Sequence, residues 1–357
     1  MKRQNRLIDG VDRMWESDGT DFGLKSLEFL FNAMMVDDEW SIKGERSFRW
    51  WGHLHCQRIW AEPPREDQGE SISLIHVETD LLREVQDNPE TYRQLNNLQF
   101  LSSLYALIYL PAERKIKLHS TAYVHGGNFG WLSRLMQNAA GIQLCDSLKF
   151  GLLINMFKGA KPDITGHPYN GIRENADELV LGLFEYYTSQ GRTQLTIPPG
   201  EWEAACKVLA KLSVLATPNE KGLTAEFHFV GSDPAFLRQM KGKKGVATSI
   251  LQICVDVGHL PLGFGINSVL VLPLIDPLEK GYRRCNRLNV LESKGGLGFH
   301  QLGSWRAWDK EDGTADIAFA SFVPAYPCQP GLIANLSLPN GLRSTWASTT
   351  LKEHGVK

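Results

Sequence analysis

The period of apolar and polar positions changes several times along this chain, and each change marks an element. Over residues 22–36 the side chains Phe22, Leu27, Leu30, Phe31 and Met34 recur at helical spacing, which predicts a helix closed by Asp37-Asp38-Glu39. From Phe48 to Trp60 the period drops to two. Phe48, Trp50, Leu54, Cys56 and Trp60 share one parity, and Arg49, Trp51, His53, His55 and Gln57 the other, as in a half-buried strand. Pro63-Pro64 and a charged turn separate it from a second strand, Ser71 to Thr79. Asn88-Pro89-Glu90 reads as a helix start, followed by the stripe Tyr92, Leu95, Leu98 and Leu101. Tyr105 to Leu110 and Ile116 to His125 flank a polar turn and predict a β-hairpin. Gly126-Gly127 ends it, and a long apolar helix follows from Trp131 to Leu153.

The stretch KPDITGHPYNG at 161–171 is rich in proline and glycine, so a linker is expected over 161–175. Beyond it the pattern predicts a short helix at 176–187 and another at 201–212. Strands follow at 214–217, 223–230, 250–257 and 266–272. A helix then runs from Asp276-Pro277 to Glu292, a hairpin covers 304–308 and 315–323, and a last helix starts near Pro330.

This order repeats itself. Both halves read helix, strands, helix, hairpin, helix. Tyr92-Arg93-x-x-Asn96-x-Leu98-x-x-Leu101 superposes on Tyr282-Arg283-x-x-Asn286-x-Leu288-x-x-Leu291 at an offset of 190 (286 − 96). Gly130-Trp131-Leu132-x-x-Leu135 matches Gly331-Leu332-Ile333-x-x-Leu336 at 201 (331 − 130). The extra residues of the second copy fall in its Gly-rich 294–298 stretch and a longer turn at 309–313. Cys285 takes the place of Leu95 and is therefore expected in the core. The expected organisation is a first domain over 1–160, a linker over 161–175 and a second domain over 176–357.

Composition narrows the function. The chain has 357 residues, 43% apolar and 22% charged, with a net charge of −2, which offers no global attraction to nucleic acid or an anionic membrane. The polar start shows no secretory h-region, and no stretch of about 18 apolar residues is present, so a cytoplasmic protein is expected. The cysteines at 56, 145, 206, 254, 285 and 328 form no C-x-x-C and read as reduced thiols. On a strand, His53 and His55 would share a face, a spacing that could chelate zinc, with His76 or His119 as further ligands. Without such ligands they are two histidines on the wetter sheet face. Arg58 falls among apolar positions and calls for a carboxylate, Glu78 or Asp80 on the adjacent strand. No nucleophile elbow or phosphate loop is present in the sequence. No catalytic, metal or cofactor set is therefore assigned.

Trp50-Trp51, Gln57-Arg58-Ile59-Trp60 and Glu78-Thr79-Asp80-Leu81-Leu82 resemble the central domain of the Tir-chaperone/YbjN-like (TY-Chap) family. So do His119-Ser120-x-x-Tyr123-Val124-His125 and the Trp131-Leu132 helix. In the second half, Leu223-Thr224-Ala225-Glu226-Phe227, Gly303-Ser304-Trp305, Phe322-Val323-Pro324 and Pro330-Gly331-Leu332-x-x-Asn335-Leu336 resemble its C-terminal domain. The resemblance covers about residues 45–345. A Lys/Gly-rich insertion at 233–245 departs from it. It implies an α+β fold of two tandem type III secretion chaperone-like units, each a twisted antiparallel sheet packed by helices. It also implies a chaperone or adaptor of bacterial conflict or defence systems that binds a partner polypeptide without catalysis.

The leading expectation is therefore a non-enzymatic protein-binding module without cofactor, nucleic-acid or membrane partners, whose units form an internal pseudo-dimer or which pairs as a homodimer. Leu332, Ile333, Leu336 and Leu338 on the last helix are candidate partner-binding residues, with Pro339-Asn340-Gly341 expected to interrupt that helix. The alternative is a small-ligand or metal-dependent sensor or hydrolase using His53 and His55.

Overall fold

The structure, a computed structural model, describes residues 15, 19–67, 69–150, 155–178, 180, 182, 197, 200–211, 214–219, 221–228, 248–259, 262–295, 297–324 and 331–353. The insertion at 233–245 and most of the helix expected at 176–187 lie outside them.

Two units follow the same path. The first contains α1 (Phe22–Ala33), β1 (Ser41–Gly44), β2 (Ser47–Trp50), β3 (Gln57–Ala61), β4 (Arg65–Asp67) and β5 (Glu70–Arg83). It continues through α2 (Pro89–Gln99), β6 (Ala106–Leu110), β7 (Lys115–Val124), α3 (Phe129–Phe150) and β8 (Lys161–Pro162). The second contains α4 (Glu201–Lys211), β9 (Leu215–Asn219), β10 (Gly222–His228), β11 (Thr248–His259) and β12 (Gly263–Pro277). It ends with α5 (Leu278–Ser293), β13 (Ser304–Asp309), β14 (Thr314–Pro324) and α6 (Leu332–Glu353). The sheets run β1-β2-β3-β5-β7-β6, with β4 and β8 also on β5, and β9-β10-β11-β12-β14-β13. Every strand pair is antiparallel. The long central strand is irregular at the same place in both sheets, between Asp80 and Leu82 on β5 and between Val271 and Ile275 on β12. The fold is thus α+β with two tandem sheet units.

Local chemistry starts the helices where the sequence suggests. Asn88 Oδ1 accepts from Thr91 N (2.9 Å) with Pro89 at the first turn of α2, and Asp21 Oδ1 accepts from Leu24 N (3.0 Å) ahead of α1. The start of α6 is capped by another helix: the Glu201 carboxylate accepts from Gly331 N (2.9 Å) and Ile333 N (3.3 Å). A negative charge there also meets the positive end of the helix dipole.

Three expectations change. The strand expected over Phe48 to Trp60 is two strands joined by a bend, with Ser47 opposite Trp60 and Trp50 opposite Gln57. The bend resets the parity: Phe48, Trp50, Gln57 and Ile59 are buried, whereas Arg58 is exposed and Trp60 half-buried. The expected linker packs on the first unit. Pro162 pairs with Leu82, the carbonyl of Thr165 accepts from Trp51 Nε1 (2.7 Å), and Asp177 N donates to the carbonyl of Gly52 (2.8 Å). Finally, α6 runs through Pro339-Asn340-Gly341 without a break. Its neighbours hold it in place: Arg343 Nη1 donates to Asn340 Oδ1 (2.8 Å) while its guanidinium meets Glu292.

The two units exchange equivalent contacts through β6 and β13, each the end strand of its sheet. Gln99 on α2 bonds both backbone groups of Leu107, accepting from its N–H (3.1 Å) and donating to its carbonyl (2.5 Å). Asn289 on α5 does the same at Trp305 (2.7 and 2.9 Å). Two residues along each strand the helper comes from the other unit. Asn96 on α2 accepts from Ala307 N (2.8 Å) and donates to its carbonyl (3.0 Å). Asn286 on α5 closes Tyr109 in the same way (2.9 and 3.0 Å). The equivalents Leu107 and Trp305 are 198 apart (305 − 107), between the helix offset of 190 and the later offset of 201. Eight of the extra residues (198 − 190) therefore lie between α5 and β13, and three (201 − 198) in the hairpin turn. One hydrophobic cluster, from Trp15 to Leu351, runs through both units and includes Cys285.

Asn96 and Asn286 are buried, so removing either amide strands a backbone N–H and a carbonyl. Asn96→Leu and Asn286→Leu should each cost about 2–4 kcal/mol in urea unfolding. Asn96→Asp keeps the size but turns an acceptor toward the Ala307 carbonyl, and it should destabilise more at pH 8 than at pH 4. Wild-type stability in all three would show that the amide contacts contribute nothing.

Candidate functional site

His53 and His55, expected on an exposed strand face, are buried in the bend between β2 and β3. His53 Nδ1 accepts from His55 N (3.0 Å), and Nε2 lies 3.1 Å from the Leu144 carbonyl and 3.0 Å from Ser147 Oγ. That arrangement requires the neutral ring protonated at Nε2, which leaves no lone pair for a metal. Burial, with His55 nearby, lowers the His53 imidazole to about 3. Among the described residues no group of three or more His, Cys, Asp or Glu side chains could hold a metal ion. Cys56 beside them is buried, and its thiol is pushed up to about 12.

The other signature residues divide between the two faces of the first sheet. Trp50 and Gln57 face the core. Gln57 Nε2 donates to Thr79 Oγ1 (3.1 Å) and to the Ala140 carbonyl (3.0 Å), which ties β3 to β5 and α3. Trp51 holds the 161–177 segment through its indole N–H and its carbonyl, the latter accepting from Arg173 Nη1 (2.8 Å). Arg58 makes no buried clamp with Glu78 or Asp80, because it lies on the outer face. Its guanidinium sits 4.6 Å from the Trp60 ring centre. Glu78 instead meets Lys117 (3.1 Å), with Asp80 at 3.7 Å. Burial raises the Asp80 carboxyl, which Lys117 only partly offsets. Burial alone would lower the Lys117 ammonium, but the two carboxylates outweigh it and the net shift is upward.

On this outer face a histidine cluster meets the second unit. His76 stacks on Trp60 (4.4 Å, 4°) and its Nε2 lies 3.1 Å from Glu62 Oε1. The segment 297–301, which follows the Gly-rich stretch of the second copy, crosses above. The Thr121 N–H donates to the Gln301 carbonyl (3.1 Å), His119 Nδ1 lies 3.1 Å from Gln301 Oε1, and Tyr123 N donates to His300 Nδ1 (3.0 Å). Burial lowers His76 and His300 to about 3 and His119 to about 4. The sequence suggested His76 and His119 only as extra metal ligands. The equivalent segment of the first copy crosses the second sheet in turn: Ser103 Oγ donates to the Phe322 carbonyl (2.5 Å) and Ser102 Oγ lies 3.0 Å from Ser304 Oγ.

Trp305, the signature residue of the second half, anchors a buried ion pair. Its indole N–H donates to Glu292 Oε2 (2.7 Å), and Arg343 on α6 approaches Glu292 Oε1 at 2.9 Å while lying 3.8 Å from the Phe319 ring centre. Burial raises the Glu292 carboxyl, and Arg343 opposes this. Of the candidate partner-binding residues, Leu332 and Ile333 are buried in the core, while Leu336 and Leu338 are half-buried against it. Leu336 also lines a cleft of about 30 Å³ with Trp131, His300 and Arg343. A larger open cleft of about 610 Å³ lies between Trp40 and the 172–178 segment, where Arg173 bridges Asp37 (3.5 Å) and Asp177 (2.9 Å).

These geometries give two tests. His53, His76, His119 and His300 are neutral in the fold and free to protonate at about 6.5 once unfolded. The unfolded chain therefore binds more protons, and stability should be full above pH 6.5 and fall as pH drops toward 4. His119→Gln should make the slope of stability against pH shallower by up to about one proton. An unchanged slope would mean that His119 is charged in the fold. Arg343→Met should cost about 3–5 kcal/mol by leaving Glu292 buried and unpaired, and Glu292→Leu with Arg343→Met should recover part of that loss in thermal unfolding.

A scan against protein-family models, a search of curated proteins and a search of solved structures found no match to this chain. No described helix is long and apolar enough to cross a membrane.

Proposed function

We propose that the protein is a non-enzymatic, chaperone-like adaptor that holds a partner polypeptide, with its two units paired as an internal pseudo-dimer. The observation that carries this reading is the reciprocal closing of β6 and β13 by Asn286 and Asn96. Two sheets of one topology, tied across their end strands, make a rigid two-sided platform within a single chain. Among the described residues the opposite ends of the sheets, β1 and β9, each have one strand neighbour, and the outer sheet faces flank them. Sheet edges and faces of this kind receive peptide segments through backbone hydrogen bonds and alternating side-chain pockets. The polar groups at His53, Glu78, Lys117 and Glu292 have structural partners, which supports binding over turnover. The sequence resemblance to TY-Chap proteins supports the same class and a setting in bacterial conflict or defence.

The test uses the full chain. Sedimentation of the purified protein should give a monomer. Recovery of the tagged protein from its native host, followed by mass spectrometry, should give one polypeptide in fixed stoichiometry. An obligate homodimer would contradict the pseudo-dimer. Recovery without any polypeptide, together with hydrolase turnover lost in Asp80→Asn, would replace the adaptor by the enzyme reading.

A further inference from the structure

The outer faces of the two sheets differ in a way their common topology does not require. On the second sheet, one row of side chains crosses all six strands: Leu215, Glu226, Ile250, Val271, Ala318 and Arg306, each opposite the next. The repeat places Ala318 and Val271 where the first sheet has Lys117 and Asp80, and Val269 where it has Glu78. In the first copy these positions close on one another as ion pairs. In the second they are aliphatic, and Val269, Ala318 and Ala320 form a satellite cluster with Val271 and Trp308, separate from the main core. The row stays open toward β9: Leu215 is 58% and Ile250 41% exposed.

At the other end of the row stands a cation without a counter-ion. The Arg306 guanidinium lies 4.7 Å from the Phe100 ring centre and 5.6 Å from that of Trp308. Its Nε is buried and has no hydrogen-bond partner. Among the described residues no carboxylate is paired with it, because nearby Asp316 is held by Lys310 (2.6 Å). Burial lowers this guanidinium to about 10. A desolvated, unpaired cation is unfavourable, and a carboxylate brought to it gains a charge-assisted hydrogen bond that the flanking rings shield from water. Phe100 itself remains 38% exposed, which extends the apolar surface beyond the guanidinium.

We infer that the outer face of the second sheet is the docking surface of the adaptor, and that it takes a polypeptide segment whose carboxylate, set among apolar side chains, reaches Arg306. This rests on the adaptor reading. Ala318 is buried, so the apolar side chains of the segment rest on the exposed Leu215 and Ile250 and the half-buried Val271, and Arg306 fixes their register along the row.

A random-peptide display library panned on the full-length protein tests this, with enriched peptides synthesised and measured by fluorescence anisotropy. Enriched peptides should carry Asp or Glu beside apolar residues. Arg306→Gln should weaken them about tenfold, and Arg306→Glu should shift preference to the same peptides with Lys in place of the acid. Should an Arg306 variant fail to fold, Gln252→Glu, at an exposed position in the adjacent row, supplies the second test, and by repelling the acid of the segment it should also weaken binding. Peptides lacking an acid, or binding that ignores both Arg306→Gln and Gln252→Glu, would overturn the inference and leave the adaptor reading standing. No enrichment at all would also overturn it. That result together with no polypeptide recovered from the host would remove both.

Discussion

The fold depends on four side-chain amides laid along two strand edges. An edge strand buried against another unit carries backbone groups that must find partners, and a helix packed beside it has no free backbone to offer. Gln99, Asn96, Asn286 and Asn289 solve this with one carboxamide per residue, each presenting a donor and an acceptor at the spacing of a backbone peptide. Two come from the strand's own unit and two from its sister. The contact between units is therefore polar and specific at its centre and apolar around it, where a continuous core passes between the sheets. A purely apolar seam would hold two sheets together but would not define their register; the amides do both.

Duplication explains why the two copies share bulge positions, helix starts and strand order, and divergence explains the rest. In the first copy the outer face carries the Glu78, Asp80 and Lys117 ion pairs, and Gln301 meets His119 there. In the second copy the equivalent positions are aliphatic beside Arg306, and Ser102 and Ser103 cross the sheet at Ser304 and Phe322. A repeated fold allows such divergence because each sheet needs only one face for its core.

Much of the architecture was legible in the sequence. Asn88-Pro89 marked the start of α2, the alternation in Lys115–Val124 marked a strand, and the shared Tyr-Arg-x-x-Asn-x-Leu spacing marked the repeat. The failures have identifiable causes. Period-two counting carried through residues 51–56 because the bend keeps apolar and polar residues alternating, so Gln57 and Trp60 were each placed on the wrong face. Arg58 looked buried for the same reason. The segment at 161–177 has linker composition, yet its backbone is tied down by Trp51, Gly52 and Leu82, contacts that composition does not encode. Pro339 was expected to break α6 because an isolated helix would break there, whereas Arg343 and its partners hold the packed one.

By itself the sequence determined the periodicities, the caps and the duplication, since these depend on neighbours within a turn or a strand and on the comparison of one half with the other. Tertiary structure alone decided which polar groups meet. Asn96 reaches Ala307 and Asn286 reaches Tyr109 from the other half of the chain, and Trp305 and Arg343 converge on Glu292 from two further elements. The same holds for the exposed surface. Val271, Ala318 and Arg306 are unremarkable in their own strands, and they become a row only when three strands are laid side by side, because lateral adjacency in a sheet is set by hydrogen-bond register and not by sequence distance.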